Sequence, residues 1–108
     1  MDNIKNDAYY IDLIKKDIDK IEQYTKDISY DEFINDELLI DAIMFRLVQM
    51  IENIKKLSID FKNQHNDIEW IEIIGFRNRI VHDYGKTDYS VVYEVITQDI
   101  EKLKYIFK

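Results

Sequence analysis

The 108-residue sequence has the length of one domain, and its 46% apolar and 34% charged residues are typical of a globular chain rather than a disordered one. The absence of proline and the presence of only two glycines exclude a fold of many short strands and tight turns, and favour helices. A net charge of -7 argues against broad electrostatic coating of nucleic acid, and the absence of cysteine excludes disulfides and cysteine-ligated metals.

The first predicted helix runs from about Asp2 to Tyr24. Its apolar residues recur at steps of three and four and form one stripe, made of Ile4, Ala8, Ile11, Ile14, Ile18 and Ile21. A turn is expected next, because Ser29 and Glu32 have the spacing of a capping box at the start of another helix.

The second predicted helix, from about Asp31 to Leu57, carries two neighbouring apolar stripes. The first contains Leu39, Ile43, Leu47, Met50, Ile54 and Leu57, and the second contains Ile40, Met44, Val48 and Ile51. One stripe can face the core of a small bundle. The second either widens that core contact or builds a dimer interface.

Two further helices follow a polar connection over residues 58–66. Asp67 is positioned to cap the third helix and Gly85 to end it, and its predicted buried residues are Ile68, Ile71, Ile74 and Val81. The fourth helix, from about Asp88 to Phe107, buries Val92, Ile96, Ile100, Leu103 and Phe107. The sequence therefore predicts an all-α, up-and-down bundle of four main helices in one domain, residues 1–108.

The distribution of apolar residues also predicts where the protein acts. The longest unbroken apolar run, Ala42 to Phe45, is far shorter than the ~20 residues of a membrane span. Residues 1–7 lack the apolar core of a signal peptide. We therefore expect a cytoplasmic protein that does not bind membranes.

The residue types most suited to chemistry cluster on the third predicted helix. Arg77 and Arg79, two of only three arginines, lie within five residues of His82. Arginine presents a planar, permanently charged fork to phosphate oxygens, and histidine exchanges protons near neutral pH, so together they suit phosphodiester cleavage. Residues five apart lie roughly 140° around a helix. Arg77 and His82 therefore do not share one narrow face, whereas Asn78 and Arg79 are same-face neighbours of His82.

One helix by itself makes a poor site, and a second copy of it would complete a cleft. A glycine inside a helix, such as Gly75, costs ~1 kcal/mol relative to alanine, and close approach of another backbone is one reason to tolerate it. An arginine and a histidine at this spacing also occur by chance, and a histidine at a helix end often only complements the helix dipole. The spacing alone leaves the function open.

The run WIEIIGFRNRIVHDY, residues 70–84, resembles the HEPN superfamily and specifically the HepT toxins. Their signature is an arginine, four residues, a histidine, one residue and a tyrosine, and Arg77, His82 and Tyr84 match it in order. Asn78 matches the asparagine that usually follows the arginine, whereas Asp83 is an acidic departure that is expected to weaken RNA binding. The resemblance covers about two thirds of the chain, from the second predicted helix onwards.

The resemblance implies a HEPN-like four-helix bundle that acts on RNA, and not on DNA, as a homodimer with paired motifs lining a cleft between subunits. It implies a ribonuclease that uses no metal and no cofactor. The catalytic arginine and histidine carry over to Arg77 and His82, with Asn78 and Arg79 as supporting, RNA-binding residues. Under this hypothesis His82 transfers protons and Arg77 stabilises the charged phosphorane, which leaves a 2′,3′-cyclic phosphate.

Tyr84 has a separate implied role. In HepT toxins the matching tyrosine receives AMP from ATP through a nucleotidyltransferase antitoxin of the MntA type, and such an adduct would repel RNA phosphates. The implied protein is the ribonuclease toxin of a bacterial type VII toxin–antitoxin pair, which can join its partner in a larger hetero-oligomer. Without the resemblance, a tyrosine near a helix end is more often a packing residue. The alternative is an inactive HEPN module that serves dimerisation or nucleotidyltransferase binding.

Other polar residues receive ordinary structural interpretations. His65 lies in a polar stretch and is expected to be solvated, and the scattered acidic residues have no spacing that fixes a metal site. Arg46 interrupts the apolar pattern of the second helix. A surface salt bridge is its expected use, with a contact across a dimer or an extension of the basic cleft as alternatives.

Overall fold

The computed structural model describes residues 5–82 and 87–107, except for the side chains of Val81 and His82. In chain order its helices are α1 (Asp7–Thr25), α2 (Tyr30–Ile34), α3 (Glu37–Lys55), α4 (Ile59–Gln64), α5 (Trp70–His82), α6 (Tyr89–Glu94), a π-helical turn (Val95–Asp99) and α7 (Ile100–Ile106). Every regular element in the described ranges is helical, which confirms the predicted all-α class. No helix among these residues combines the length and apolar character needed to cross a bilayer.

The first two predicted helices have different boundaries in the structure. α1 begins at Asp7 because the side chain of Asn6 caps it, and residues 1–4 of the predicted helix lie outside the described ranges. The second predicted helix is two helices, α2 and α3. Asp36 starts α3 by accepting a hydrogen bond from the N–H of Leu39 at 3.0 Å, while the predicted capping box of Ser29 and Glu32 starts α2.

The polar connection predicted over residues 58–66 contains α4. Ser58 caps this helix, and its hydroxyl and backbone N–H also donate to the carboxylate of Asp7 at 2.6 and 2.8 Å. The hydroxyl bond, followed by the backbone bond, lowers the pKa of Asp7. These contacts tie the first turn of α1 to the end of α3, so the two helices run antiparallel.

His65 is not the solvated side chain that its surroundings predicted. Its ring is half-buried, with its centre 4.7 Å from that of Phe61, and its carbonyl accepts the indole N–H of Trp70 at 3.2 Å. Trp70 is buried and also lies edge-on to Phe107. The polar sequence around His65 concealed this aromatic cluster, which fixes the start of α5 at Trp70 rather than at the predicted Asp67 cap.

α3 is the central helix, and both of its predicted stripes face the core. All members of the two stripes are buried except Leu39 and Val48, which are partly buried. The second stripe therefore widens the core contact, as one of the two alternatives expected. On α5 the prediction is wrong for Ile71, which is 87% exposed because the anchoring of its neighbour Trp70 turns it outward, while Phe76 and Ile80 are buried. Ile68 and Ile74 pack against the core as predicted, and the side chain of Val81 lies outside the described residues.

The last predicted helix is continuous from Tyr89 to Ile106 but contains a π-helical turn. Asp88 caps it by accepting a hydrogen bond from the N–H of Ser90 at 2.9 Å. Its predicted stripe is confirmed, since each of Val92, Ile96, Ile100, Leu103 and Phe107 is buried. The extra residue of a π turn changes the helical register, and periodicity alone does not predict it. The predicted helix stop at Gly85 lies outside the described residues.

A buried ion pair joins α1 to α3. Asp17 is 1% exposed, and one of its carboxylate oxygens accepts a hydrogen bond from Arg46 at 3.1 Å. This contact corrects the surface role expected for Arg46. Burial raises the pKa of Asp17 by more than the hydrogen bond and charge of Arg46 lower it. The second carboxylate oxygen has no hydrogen-bond partner within the described part of the chain, so the charge of Asp17 depends on Arg46.

We predict that Arg46→Met destabilises the fold by about 3 kcal/mol near neutral pH, because it leaves a buried carboxylate without its counter-charge. The pKa of Asp17 is higher in the folded than in the unfolded protein, so the free energy of unfolding falls as the pH rises between these two values. Losing Arg46 removes the contact that lowers the folded-state pKa, and the pH interval therefore becomes wider. The difference in unfolding free energy between wild type and Arg46→Met should therefore be smaller at about pH 5 than at about pH 7.5, as measured by urea denaturation.

Lys104→Met provides the matched control, because Lys104 pairs with Glu22 at 3.0 Å but is 57% exposed. Its loss should cost well under 1 kcal/mol. If Arg46→Met lost the same amount of unfolding free energy at both pH values, the role assigned to Asp17 would be wrong.

Candidate functional site

The residues predicted to carry chemistry lie on the C-terminal half of α5. This helix extends through His82, so its backbone places Arg77, Asn78 and Arg79 within one turn and His82 on the next. The side chain of His82 lies outside the described part of the structure, as does all of Tyr84.

Arg77 faces α3 and is held there by a carboxylate. Its Nε and Oε1 of Glu52 form a close ion pair, and both atoms are shielded from water. The side chain of Arg77 as a whole keeps 23% of its surface exposed. Nη1 donates a hydrogen bond to the side-chain oxygen of Asn78 at 3.2 Å. The guanidinium is thus fixed at its base and reaches the surface of the helix.

Arg79 lies on the opposite side of α5 from Arg77, since two residues correspond to roughly 200° around a helix. Its guanidinium carbon is 5.7 Å from the ring centre of Phe76, which is a cation–π distance. The structure therefore separates the two arginines instead of placing both in one cleft. Asn78 is exposed and is the described polar neighbour of Arg77.

Arg79 borders a groove of about 540 Å³ between α3, α5 and the last helix. The apolar part of its lining is made of Leu47, Met50, Ile51, Ile68, Ile73, Phe76, Val91, Val95 and Leu103. Its charged residues are Asp67, Glu69, Glu72, Arg79, Asp99 and Lys102. A hydrogen bond with the carboxyl of Glu69, and then its negative charge, raise the pKa of Glu72. This mostly acidic border disfavours RNA phosphates, so the groove is not the preferred RNA path.

The side of the molecule that carries Asn78 is apolar and uncovered. Ile71, Gly75 and Asn78 follow one another at steps of four and three on one face of α5, and a Cβ added to Gly75 would meet nothing within 4 Å. On α3, Leu38 and Phe45 are 81% and 61% exposed and precede Glu52 at intervals of seven. Because Glu52 also contacts Arg77, this α3 strip leads to the candidate site.

Glu52 is the residue of this site that sequence reasoning missed. It is a single carboxylate near the end of an apolar helix, flanked by the buried residues Ile51 and Asn53. An acidic residue in that position signals a partner of opposite charge, but the spacing does not show which cation it meets. Across the described residues, no three imidazole or carboxylate groups gather in a way that could hold a metal ion.

Comparison with known proteins places this site in a family. The family model described as ribonuclease HepT-like matches residues 14–108, which includes the whole of α5. A protein from Methanocaldococcus jannaschii, named a gamma-glutamylcyclotransferase and proposed RNase, is 35% identical over 100 residues. That match covers 93% of this chain but 45% of the relative, so the chain spans less than half of that protein.

Two shorter relatives match over most of their length. A proposed RNase from Methanocaldococcus jannaschii is 32% identical, with 90% of this chain and 88% of the relative covered. A protein from Thermococcus cleftensis named probable ribonuclease HepT is 30% identical, with 92% and 90% covered. No solved structure matches the chain. The family match and these near full-length relatives establish that the chain belongs to the ribonuclease HepT-like family.

Proposed function

We propose that this protein is a metal-independent endoribonuclease whose catalytic groups are Arg77 and His82. The observation that carries the proposal is the arrangement of Arg77, a permanently charged fork fixed by Glu52 and Asn78 yet partly exposed on the helix that contains His82. Membership of the ribonuclease HepT-like family and the names of the relatives support RNA as the substrate. RNA as substrate also favours the cytoplasm as the place of action.

In the proposed reaction the ribose 2′-oxygen attacks the adjacent phosphorus and the bond from phosphorus to the 5′-oxygen breaks. His82 accepts the 2′-hydroxyl proton or supplies a proton to the leaving oxygen. The guanidinium of Arg77 neutralises the charge that develops on the phosphorane oxygens. A permanently charged, oriented donor suits this role because it requires little reorganisation as the charge forms.

We also propose that a second copy of the chain packs against the exposed faces of α3 and α5. Leu38, Phe45 and Ile71 are large apolar side chains that one protomer leaves exposed, and they lie on the two helices that carry Glu52 and Arg77. Gly75 lies between Ile71 and Asn78 on the same face of α5. Among the described residues nothing lies close enough to exclude a methyl group there, so packing within one protomer does not account for this helix-weakening glycine. A glycine would permit a second helix to approach closely.

Regulation by a nucleotidyltransferase antitoxin, which adds AMP to Tyr84, completes the proposal. This part rests on the resemblance of the motif and on the position of Tyr84, two residues beyond His82. An AMP group there adds a negative phosphate next to a site that must receive RNA phosphates. The protein would then be the toxin of a type VII toxin–antitoxin pair, assembled with its partner in a hetero-oligomer.

Cleavage of a varied RNA panel in excess chelator tests the catalytic assignment. Wild-type protein should cut, whereas His82→Ala and Arg77→Ala should each lower the rate at least about 100-fold, because each removes a proton-transfer or charge-stabilising group. His65→Phe is the matched control and should keep full activity, because it removes an imidazole but keeps an aromatic ring against Phe61. Failure of the wild type to cut any RNA would contradict the proposal and favour an inactive, partner-binding module.

Gly75→Ala separates the properties of one protomer from those of the dimer. The methyl group meets no atom within 4 Å in one protomer, so the variant should stabilise the isolated protomer by up to ~1 kcal/mol through helix propensity. It should weaken self-association about tenfold or more in sedimentation equilibrium, because it holds the second copy away. Lys15→Ala, on the exposed face of α1, should change neither property strongly. Unchanged self-association in Gly75→Ala would refute close packing at this position.

Co-expression with the cognate nucleotidyltransferase tests the regulation. Tyr84→Phe should remain toxic in the presence of the partner, because the ring stays but the hydroxyl that accepts AMP is lost. Tyr105→Phe, at a tyrosine that is 74% exposed, should be neutralised as fully as wild type. Full rescue of growth in the Tyr84→Phe strain would show that modification of Tyr84 is not the neutralising step.

A further inference from the structure

The contact between Glu52 and Arg77 has features that stability does not require. An ion pair at a protein surface typically adds less than ~1 kcal/mol to the free energy of unfolding. α3 and α5 are already held together by an apolar interface. Here, however, the contacting atoms Nε and Oε1 are withdrawn from water, while the rest of the Arg77 side chain stays partly exposed. The carboxylate thus holds the inner end of the guanidinium and leaves its outer end accessible.

The two contacts of Arg77 define the plane of its guanidinium. Glu52 binds Nε from α3, and Asn78 accepts from Nη1 within α5. A guanidinium has five N–H donors in a rigid fork. Within the described part of the chain, Asn78 takes one N–H of Nη1 in a hydrogen bond, and Nε faces Glu52 in an ion pair without a hydrogen bond. Nη2 and the second N–H of Nη1 are left for an anion. These remaining donors form an edge that can bind two phosphate oxygens together.

From this geometry we infer that Glu52 is a positioning residue for the ribonuclease reaction: it orients Arg77 so that the free edge of the guanidinium faces the scissile phosphate. The inference rests on the proposed function. A long arginine side chain without an anchor samples many rotamers and must be ordered during the reaction. Glu52 removes that requirement by fixing the side chain before RNA binds.

The charge of Glu52 gives this role a distinctive kinetic signature. A carboxylate close to the RNA backbone repels phosphate, so it does not improve substrate binding in the ground state. Its benefit arises only through Arg77 in the transition state. Loss of the charge should therefore lower kcat without raising KM, whereas a merely structural ion pair would change neither constant in the folded enzyme. Lys55 also lies 3.8 Å from the same carboxylate oxygen, but it is on α3 with Glu52 and not on the helix that carries His82.

Glu52→Gln is the decisive variant, because glutamine keeps the shape of the side chain and removes its charge. Glu22→Gln is the matched control: Glu22 is 32% exposed against 35% for Glu52 and also pairs with a cation, Lys104, away from the site. We expect kcat of Glu52→Gln to fall about 10- to 100-fold with KM unchanged or lower. Glu52→Asp, which keeps the charge on a shorter side chain, should recover part of kcat. Glu22→Gln should match wild type in both constants.

The Nε–H resonance of Arg77, observed by NMR without RNA, reports the contact independently of activity. Glu52→Gln should shift this resonance and speed its exchange with water, whereas Glu22→Gln should leave it unchanged. If the wild type cuts RNA and Glu52→Gln retains its kcat, the positioning role is overturned and the proposed function stands. If the wild type cuts no RNA, the function and the inference that rests on it both fail. An Arg77 resonance that Glu52→Gln leaves unmoved overturns the inference whatever the activity.

Discussion

The contact between Glu52 and Arg77 links the core of this protein to its candidate chemistry. α3 buries two apolar stripes and leaves outside a narrow strip that contains Leu38, Phe45 and Glu52. Glu52, the charged residue of these three, is the one that contacts α5. Since the aromatic cluster around Trp70 fixes the start of α5, the helix presents Arg77 to Glu52 two turns after Trp70. Core packing thus determines where Arg77, the proposed catalytic arginine, lies.

The rotation of α5 also divides its polar residues between two environments. Arg77 and Asn78 border the uncovered apolar surface, while Arg79 lies across the helix beside an acidic groove. Helical geometry makes this division unavoidable for residues two apart. A single protomer therefore offers one fixed arginine on an open face, and a cleft on this side requires a second surface. The proposed dimer would supply that surface.

The sequence predicted well what depends on long, regular periodicity. The all-α class, the two stripes of α3 and the buried positions of the last helix all follow from apolar spacing, and the capping box at Ser29 follows from local chemistry. Periodicity did not predict the helix break at Asp36, which depends on a single capping side chain. It also did not predict the outward rotation of Ile71, which depends on aromatic contacts between distant parts of the chain. Asp17 and Glu52 were missed for the same reason, since each is defined by a partner on another helix.

In the proposed function, Arg77 and His82 cleave RNA by acid–base chemistry that needs no metal. The most direct test is an analysis of the new RNA ends formed by the wild-type protein in excess chelator. Attack by the ribose 2′-oxygen predicts a 2′,3′-cyclic phosphate on one fragment and a 5′-hydroxyl on the other. A 3′-hydroxyl paired with a 5′-phosphate would contradict the account, because those ends arise from attack by an external water, usually activated by a metal ion.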